Sequence, residues 1–170
     1  MINSNRYFIC DNQLPVDIKW IVRRSISAGR ALYYKVILSL AMPKVLTKKY
    51  NVSVCAIFKN EAPYLREWIE FNRIVGVEHF YLYNNNSKDD YLSILKPYLE
   101  SGLVTLTDWP YNQKQMECYM DCIDKYDSET KWLGFIDIDE FIVPKSTDSL
   151  YDFLKLFEKK AGAVNIYWKI

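Results

Sequence analysis

Four short apolar runs, separated by stretches with helical periodicity, constrain the fold of this chain more than any other feature. The runs occupy residues 52–58, 79–83, 103–106 and 132–136. Between successive runs, apolar residues recur every three or four positions, which is the spacing of an α-helix that packs on one face. The repeated order of strand, helix and strand predicts an α/β fold with a mostly parallel sheet flanked by helices.

The helical stripes predict three crossover helices, at about residues 65–75, 91–99 and 116–123. Two further elements are predicted after the fourth run, a helix within residues 150–157 and a strand over residues 163–168.

Polar clusters stand at the carboxyl ends of three of the predicted strands. They are Lys-Asn-Glu at residues 59–61, Asn-Asn-Asn-Ser-Lys-Asp-Asp at residues 84–90 and Asp-Ile-Asp-Glu at residues 137–140. Because ligands of open parallel sheets bind beyond the carboxyl ends of the strands, the three clusters predict one shared ligand site.

Asp137 and Asp139 are the strongest candidates for a metal site. If this segment stays extended, both carboxylates lie on one face, where they repel each other unless a cation lies between them. Mg²⁺ and Mn²⁺ prefer oxygen ligands and are commonly held by one or two carboxylates together with substrate phosphates. The pair therefore predicts a metal bound against a diphosphate, with an ordinary acidic surface turn as the alternative.

Several other site classes are excluded or disfavoured. The chain has five glycines and no Gly-rich loop after its first strand, so the dinucleotide fingerprint and the Walker loop are both absent. His79 is the single histidine, and its position before an apolar run is typical of a strand-edge residue. The four cysteines form no zinc-type pair, and we expect them to be buried thiols in a reducing compartment.

The net charge of +1 is unevenly distributed along the chain. Residues 1–50 carry nine lysines and arginines against two aspartates, and residues 51–170 carry thirteen against nineteen acidic residues, so the two parts have net charges of +7 and −6. We therefore divide the chain into a basic helical leader, residues 1–50, and a domain, residues 51–170. The helix predicted over residues 16–40 either lies on an anionic membrane, where each cation adds about 1 kcal/mol, or packs on the domain with a solvated basic face.

No apolar stretch reaches the roughly 18 residues that a membrane span needs, and charges interrupt every candidate signal-peptide core. We therefore expect a cytoplasmic protein, held at the inner face of the membrane if the leader binds lipid. No nucleic-acid partner is expected.

Five segments follow one another along the chain: VCAIFKNE (54–61), YLREW (64–68), GVEHF (76–80), YNNNS (83–87) and FIDIDEF (135–141). Taken together and in this order, they resemble glycosyltransferase family 92 and, more distantly, family 2, of the GT-A fold. The resemblance covers residues 51–170. It implies a Rossmann-like GT-A sheet, a nucleotide-diphosphate sugar as donor, and Mn²⁺ or Mg²⁺ on the diphosphate. It also leads us to expect that the chain is truncated at its C-terminus.

The same resemblance assigns site residues by position. Asp137 and Asp139 match the family's metal-binding Asp-x-Asp. The nucleotide-binding candidates are Asn60, Glu61, Asn85, Ser87, Asp89, Gln115 and Asp137. In family 2 the loop that holds the base commonly reads Asp-Asp-Gly-Ser-x-Asp, whereas here Asn84 and Asn85 replace the leading acids and Asn86 replaces the glycine. An amide can donate as well as accept, so the loop can still bind a base.

The resemblance therefore implies a metal-dependent, inverting glycosyltransferase that acts on a glycan or lipid-linked acceptor in surface polysaccharide synthesis. The general base is expected beyond Ile170. Glu140 is expected either to bind the metal through water or to accept hydrogen bonds from backbone amides. The alternative function is a non-catalytic nucleotide-sugar-binding or interaction module. A metal-dependent nucleotidyltransferase is disfavoured because the Gly-rich phosphate loop and its lysine are absent.

Overall fold

A computed structural model describes residues 47–167. Lys48–Leu156 forms one compact unit, and the residues from Phe157 onward belong to a second. The first unit carries every helix and strand of the described residues. The basic helix predicted over residues 16–40 lies outside the described part of the chain.

The strand predicted over residues 163–168 is wrong for residues 163–167, which have no regular secondary structure. Ile166 and Tyr167 are 52% and 87% exposed. A strand needs a neighbouring strand to satisfy its backbone groups, and β-propensity alone does not provide one.

The core of the first unit is a four-stranded parallel sheet in the order β3-β2-β1-β4. Its strands are β1 (Tyr50–Phe58), β2 (His79–Asn84), β3 (Val104–Asp108) and β4 (Thr130–Phe135). Its helices are α1 (Ala62–Ile74), α2 (Tyr91–Glu100), α3 (Gln115–Tyr126) and α4 (Leu150–Lys155). The predicted α/β class is confirmed, and the sheet is open and parallel throughout.

Helices α1 and α3 cover opposite faces of the sheet. Successive side chains of a strand point to opposite faces, and on β2 the ring of Phe80 contacts Trp68 of α1 while Tyr83 packs with Cys118 of α3. Helix α1 buries residues at helical spacing, including Trp68, which is 0% exposed. This arrangement holds the first residues of both helices above the carboxyl ends of the central strands.

The strand order reverses between β1 and β4. From β1 the chain moves outward through β2 to β3 and then returns to place β4 on the other side of β1. Parallel α/β sheets bind ligands at such a switch point, beyond the carboxyl ends of the strands. The polar residues 59–61 and 137–140 follow β1 and β4 and therefore lie at this point.

Three of the cysteines, Cys55, Cys118 and Cys122, are buried together as free thiols, as predicted. Hydrogen bonding with Cys118 and Cys122, together with burial, raises the pKa of the Cys55 thiol. A raised pKa keeps this thiol protonated, so Cys55 acts as a packing group. Within residues 47–167, no helix is long and apolar enough to cross a bilayer.

Candidate active site

A cavity of about 760 Å³ opens at the carboxyl ends of β1 and β4. Ile57, Phe58 and Ile138 contribute its apolar lining. Its polar and aromatic lining comes from the loops after β1 and β2, the start of α1, the segment leading into α3 and the turn after β4: Lys59, Glu61, Tyr64, Glu67, Asn85, Tyr111, Gln113, Lys114, Gln115, Asp137, Asp139 and Phe141. The volume is that of a pocket for a ligand of drug or nucleotide size.

Asp137 and Asp139 both line this cavity, but the extended geometry predicted for them is wrong. Strand β4 ends at Phe135, and the amide of Glu140 donates to the carbonyl oxygen of Asp137 at 3.1 Å, which closes a turn. Ile138 is 4% exposed and anchors the turn in the core. The two flanking aspartates are exposed as a result. A turn, rather than strand alternation, directs both carboxylates to one site.

The main chain of this acidic turn, residues 137–140, is held by two side chains. The indole Nε1 of Trp68 donates to the carbonyl oxygens of Asp137 at 2.9 Å and Glu140 at 3.0 Å. Oε2 of Glu140 accepts a hydrogen bond from the amide of Asp137 at 3.1 Å. Of the two predicted roles of Glu140, the structure shows the second, an acceptor for a backbone amide.

The side chain of Asp137 is oriented by α3. Nε2 of Gln115 donates to Oδ1 of Asp137 at 3.1 Å and to the hydroxyl of Tyr119 at 2.8 Å. The Tyr119 hydroxyl also donates to Oδ1 of Asp137 at 3.4 Å. Burial and the negative charge of Asp137 raise the pKa of Tyr119, so this phenol remains a donor. The carboxylate of Asp139 has no hydrogen bond or ion pair with any residue that the structure describes.

Three of the predicted nucleotide ligands, Asn60, Ser87 and Asp89, do not line the cavity. They join the loop after β1 to the loop after β2. The Asn60 amide donates to Oγ of Ser87 at 2.9 Å, and the amides of Lys88 and Ala62 donate to Oδ1 of Asn60 and Oδ2 of Asp89, each at 2.8 Å. These contacts give the three side chains a structural role, and nucleotide binding by them stays a prediction.

Asn85 lines the cavity and also holds the segment that follows β3. Its Nδ2 donates to the carbonyl oxygens of Trp109 at 2.7 Å and Tyr111 at 2.8 Å. Both amide hydrogens are thereby used, so Oδ1 is the group that Asn85 can still offer to a ligand. The next residue, Asn86, has φ of 56°, a left-handed conformation that asparagine adopts more readily than most residues other than glycine.

Sequence reasoning missed Tyr64, Glu67, Tyr111, Gln113 and Lys114, which line the same cavity. Two signals could have identified them. Tyr64 and Glu67 follow Glu61 at intervals of three residues, which places them on one side of α1. The other three follow β3, whose carboxyl end lies at the same edge of the sheet as the polar clusters.

The donor set suits a cation that is only partly bound by protein. The described residues contain no cluster of three or more acidic, histidine or cysteine side chains arranged to hold a metal ion. Asp137 and Asp139 supply carboxylate oxygens at the cavity, and one or two carboxylates are enough for Mg²⁺ when phosphates and water complete its coordination. The residues present therefore fit Mg²⁺ or Mn²⁺ bound together with a phosphorylated ligand.

The sequence model of glycosyltransferase family 92 matches residues 48–169. The chain is 33% identical to a glycosyltransferase family 92 protein of Oryza sativa subsp. japonica over 115 residues, which is 66% of this chain and 20% of the relative. It is 35% identical to a galactan β-1,4-galactosyltransferase of Arabidopsis thaliana over 109 residues, covering 56% of this chain and 22% of the relative.

A β-1,4-galactosyltransferase of Caenorhabditis elegans is 33% identical over 109 residues, covering 56% of this chain and 26% of that protein. The chain thus spans about a fifth to a quarter of the length of these relatives. The family model covers well over half of the chain. The residues that it matches include all those that line the cavity. The chain belongs to glycosyltransferase family 92.

Proposed function

We propose that this chain forms the donor-binding part of a metal-dependent glycosyltransferase. The reaction is transfer of a sugar, with inversion, from a nucleotide-diphosphate sugar to a glycan or lipid-linked acceptor in surface polysaccharide synthesis. The observation that carries the proposal is that Asp137 and Asp139 share one cavity at the carboxyl ends of β1 and β4 in a family 92 chain. The names of two relatives, both galactosyltransferases, favour a hexose as the sugar.

The charge of the cavity supports the need for a cation. Its lining includes four carboxylates, from Glu61, Glu67, Asp137 and Asp139, against two amines. One of the amines, on Lys114, is paired with Glu117. A diphosphate would be repelled by this excess of negative charge. Mn²⁺ or Mg²⁺ on Asp137 and Asp139 would neutralise it and stabilise the charge that develops on the departing diphosphate.

The chain's own residues would orient the donor. Gln115 and Tyr119 hold Oδ1 of Asp137, which leaves its other oxygen and the carboxylate of Asp139 to face the ligand. Lys59 has no ion pair or hydrogen bond among the described residues, so its amine is available to phosphate oxygens. Oδ1 of Asn85 can accept a hydrogen bond from a nucleobase N–H, and the exposed ring of Tyr111 offers a surface on which a base can stack.

Calorimetry on the 170-residue chain with UDP, with and without Mn²⁺, tests the donor site. We expect Mn²⁺-dependent binding that Asp139→Asn abolishes, since this change removes a carboxylate that makes no contact within the described structure. Asp124→Asn is the matched control, because Asp124 is exposed on α3 outside the cavity. Equal binding by wild type and Asp139→Asn would remove the metal pair from the proposal.

A transfer assay separates the enzyme from a module that binds donor without transferring it. The protein would be incubated with labelled nucleotide sugars and oligosaccharide acceptors. We expect the label to move from donor to acceptor. Donor binding without transfer or donor hydrolysis would favour the non-catalytic alternative.

We also propose that residues 1–50, which carry a net charge of +7, attach the protein to the cytoplasmic face of an anionic membrane. Co-sedimentation with phosphatidylserine vesicles should occur and should weaken as salt is raised. Equal binding to neutral vesicles would contradict this electrostatic attachment.

A further inference from the structure

The acidic turn is tied to the body of the domain by one buried indole. Trp68 is 0% exposed, and its ring lies 5.5 Å from that of Phe80 in the sheet. Its N–H reaches two carbonyl oxygens, one at each end of the turn, at 2.9 and 3.0 Å. A buried Trp normally needs a partner for its N–H, and here both partners belong to the segment that carries the acidic pair.

Glu140 closes the same turn from within. Its carboxylate accepts from the Asp137 amide, and its own amide donates to the Asp137 carbonyl. The main chain of Asp137 is thus fixed at its N–H by Glu140 and at its C=O by both Glu140 and Trp68. Within the described residues, Glu140 does not line the cavity that Asp137 and Asp139 line.

Fixing the main chain matters because the two carboxylates repel each other. Without a bound cation, Asp137 and Asp139 would lower their mutual repulsion by moving apart. A binding site keeps its affinity when neighbouring groups prevent this movement, because the cost of bringing the ligands together is already met in the folded protein.

We propose that Trp68 and Glu140 are positioning residues of the nucleotide–metal site, which hold the acidic turn so that Asp137 and Asp139 converge on one divalent cation. The proposal rests on the donor site described above and adds the residues that set its geometry. Neither residue touches the ligand; each acts through the main chain of the turn.

Trp68→Phe tests the indole. This change keeps an aromatic ring against Phe80 and removes the N–H, so the carbonyl oxygens of Asp137 and Glu140 lose their shared donor. Substitutions around metal ligands typically lower metal affinity by about 10- to 100-fold. We expect a loss of this size in Mn²⁺ affinity, measured by calorimetry with UDP present and by electron paramagnetic resonance of free Mn²⁺.

Trp132→Phe is the matched control for this variant. Trp132 lies on β4, the strand that leads into the turn, and its indole N–H is buried without a partner among the described residues. Removing this N–H breaks no hydrogen bond, so Mn²⁺ affinity should be unchanged. Equal losses in Trp68→Phe and Trp132→Phe would overturn the role of the Trp68 N–H.

Glu140 is tested by comparing Glu140→Gln with Glu140→Ala. The glutamine keeps an oxygen that accepts from the Asp137 amide, so it should retain Mn²⁺ affinity to within about threefold, whereas alanine should lose about 10- to 100-fold. Equal losses in both variants would show that the negative charge matters, which would make Glu140 a ligand and overturn its positioning role.

Amide hydrogen exchange provides a readout that needs no metal. In the metal-free protein, the amides of Asp137 and Glu140 should exchange faster in Trp68→Phe than in Trp132→Phe, while the amides of β1 exchange at equal rates in both. Unchanged exchange in the turn would overturn the inference. Absence of Mn²⁺-dependent UDP binding in the wild type would instead defeat the proposed function.

Discussion

Gln115, the first residue of α3, donates a hydrogen bond from Nε2 to Oδ1 of Asp137 at 3.1 Å. This contact joins a helix on one face of the sheet to the acidic turn at the end of β4. The two residues are 22 positions apart in sequence, and their spacing does not predict the contact. It makes Gln115 a residue that orients Asp137 and gives it a role even before any ligand binds.

Gln115→Ala should weaken Mn²⁺-dependent nucleotide binding. The change removes the donor to Oδ1 of Asp137, and a hydrogen bond to a charged group in this exposed setting contributes about 1 kcal/mol, or about fivefold in affinity. Calorimetry with UDP and Mn²⁺ measures the effect. Met116→Ala is the control, because Met116 is the next residue on α3, is 68% exposed and does not line the cavity. Equal affinity in the two variants would contradict this role for Gln115.

Asn85→Asp should destabilise the protein, although it introduces the acid that family 2 commonly has at this position. Aspartate cannot donate to the carbonyl oxygens of Trp109 and Tyr111, and it places negative charge beside them. Loss of two hydrogen bonds predicts a decrease of about 2 kcal/mol in the free energy of unfolding, measured in urea.

Asn86→Asp is the control for this change. Asn86 is exposed and both residue types tolerate its positive φ, so its free energy of unfolding should change by less than about 0.5 kcal/mol. Similar losses for the two variants would show that the segment after β3 does not depend on the Asn85 amide.

Tyr83→Phe should cost more stability than Tyr81→Phe. The Tyr83 hydroxyl donates to Oδ2 of Asp121 at 2.8 Å, whereas the Tyr81 hydroxyl is 3.4 Å from Oε2 of Glu129. A short bond to the half-buried carboxylate of Asp121 predicts a loss of about 2 kcal/mol, and the longer bond to Glu129 predicts a loss of less than about 1 kcal/mol. Urea unfolding monitors both variants, and the reverse order would refute this assignment.

The protein should lose stability as the pH falls below about 6.5. Burial, and then the positive charge of Lys49, lowers the pKa of His79 from 6.5 to about 4. Between these values the unfolded chain binds a proton that the folded protein does not, so the loss grows as pH falls and reaches at most about 3 kcal/mol near pH 4. Above pH 6.5 this group has no effect on stability.

His79→Phe isolates this contribution from that of the carboxylates. The difference in unfolding free energy between wild type and variant should depend on pH between 4 and 6.5 and be constant above that range. Because the chain has one histidine, a single imidazole NMR signal reports the pKa directly. A pKa near 6.5 in the folded protein would contradict the prediction.

The local pattern was sufficient for the four strands and four helices of Lys48–Leu156 and for the edge of the sheet that carries the site, but not for residues 163–167. Apolar residues recur with the period of the helix or strand whose buried face they form. Apolar runs and helical stripes therefore identify these elements. The carboxyl ends of parallel strands lie at one edge of the sheet. The sequence therefore predicts that Glu61, Asn85 and Asp137 lie close together. Each of them does line the cavity.

The orientation of side chains could not be read in the same way. Polar residues at a strand end, such as Asn60, Ser87 and Asp89, are typical of a ligand site. They are equally typical of loops whose backbone N–H groups need hydrogen-bond acceptors. The structure shows the second use, because the amides of Asn60, Lys88 and Ala62 find acceptors across the two loops.

What the sequence by itself determined is the order of strands and helices, the edge where polar residues gather and the presence of a closely spaced acidic pair. Tertiary structure alone decided that a turn directs Asp137 and Asp139 into one cavity. It also decided that Trp68 and Glu140 hold the main chain of this turn and that Gln115 orients the side chain of Asp137. The reason is physical: periodicity records burial along one element, whereas a hydrogen bond between distant elements depends on how those elements pack.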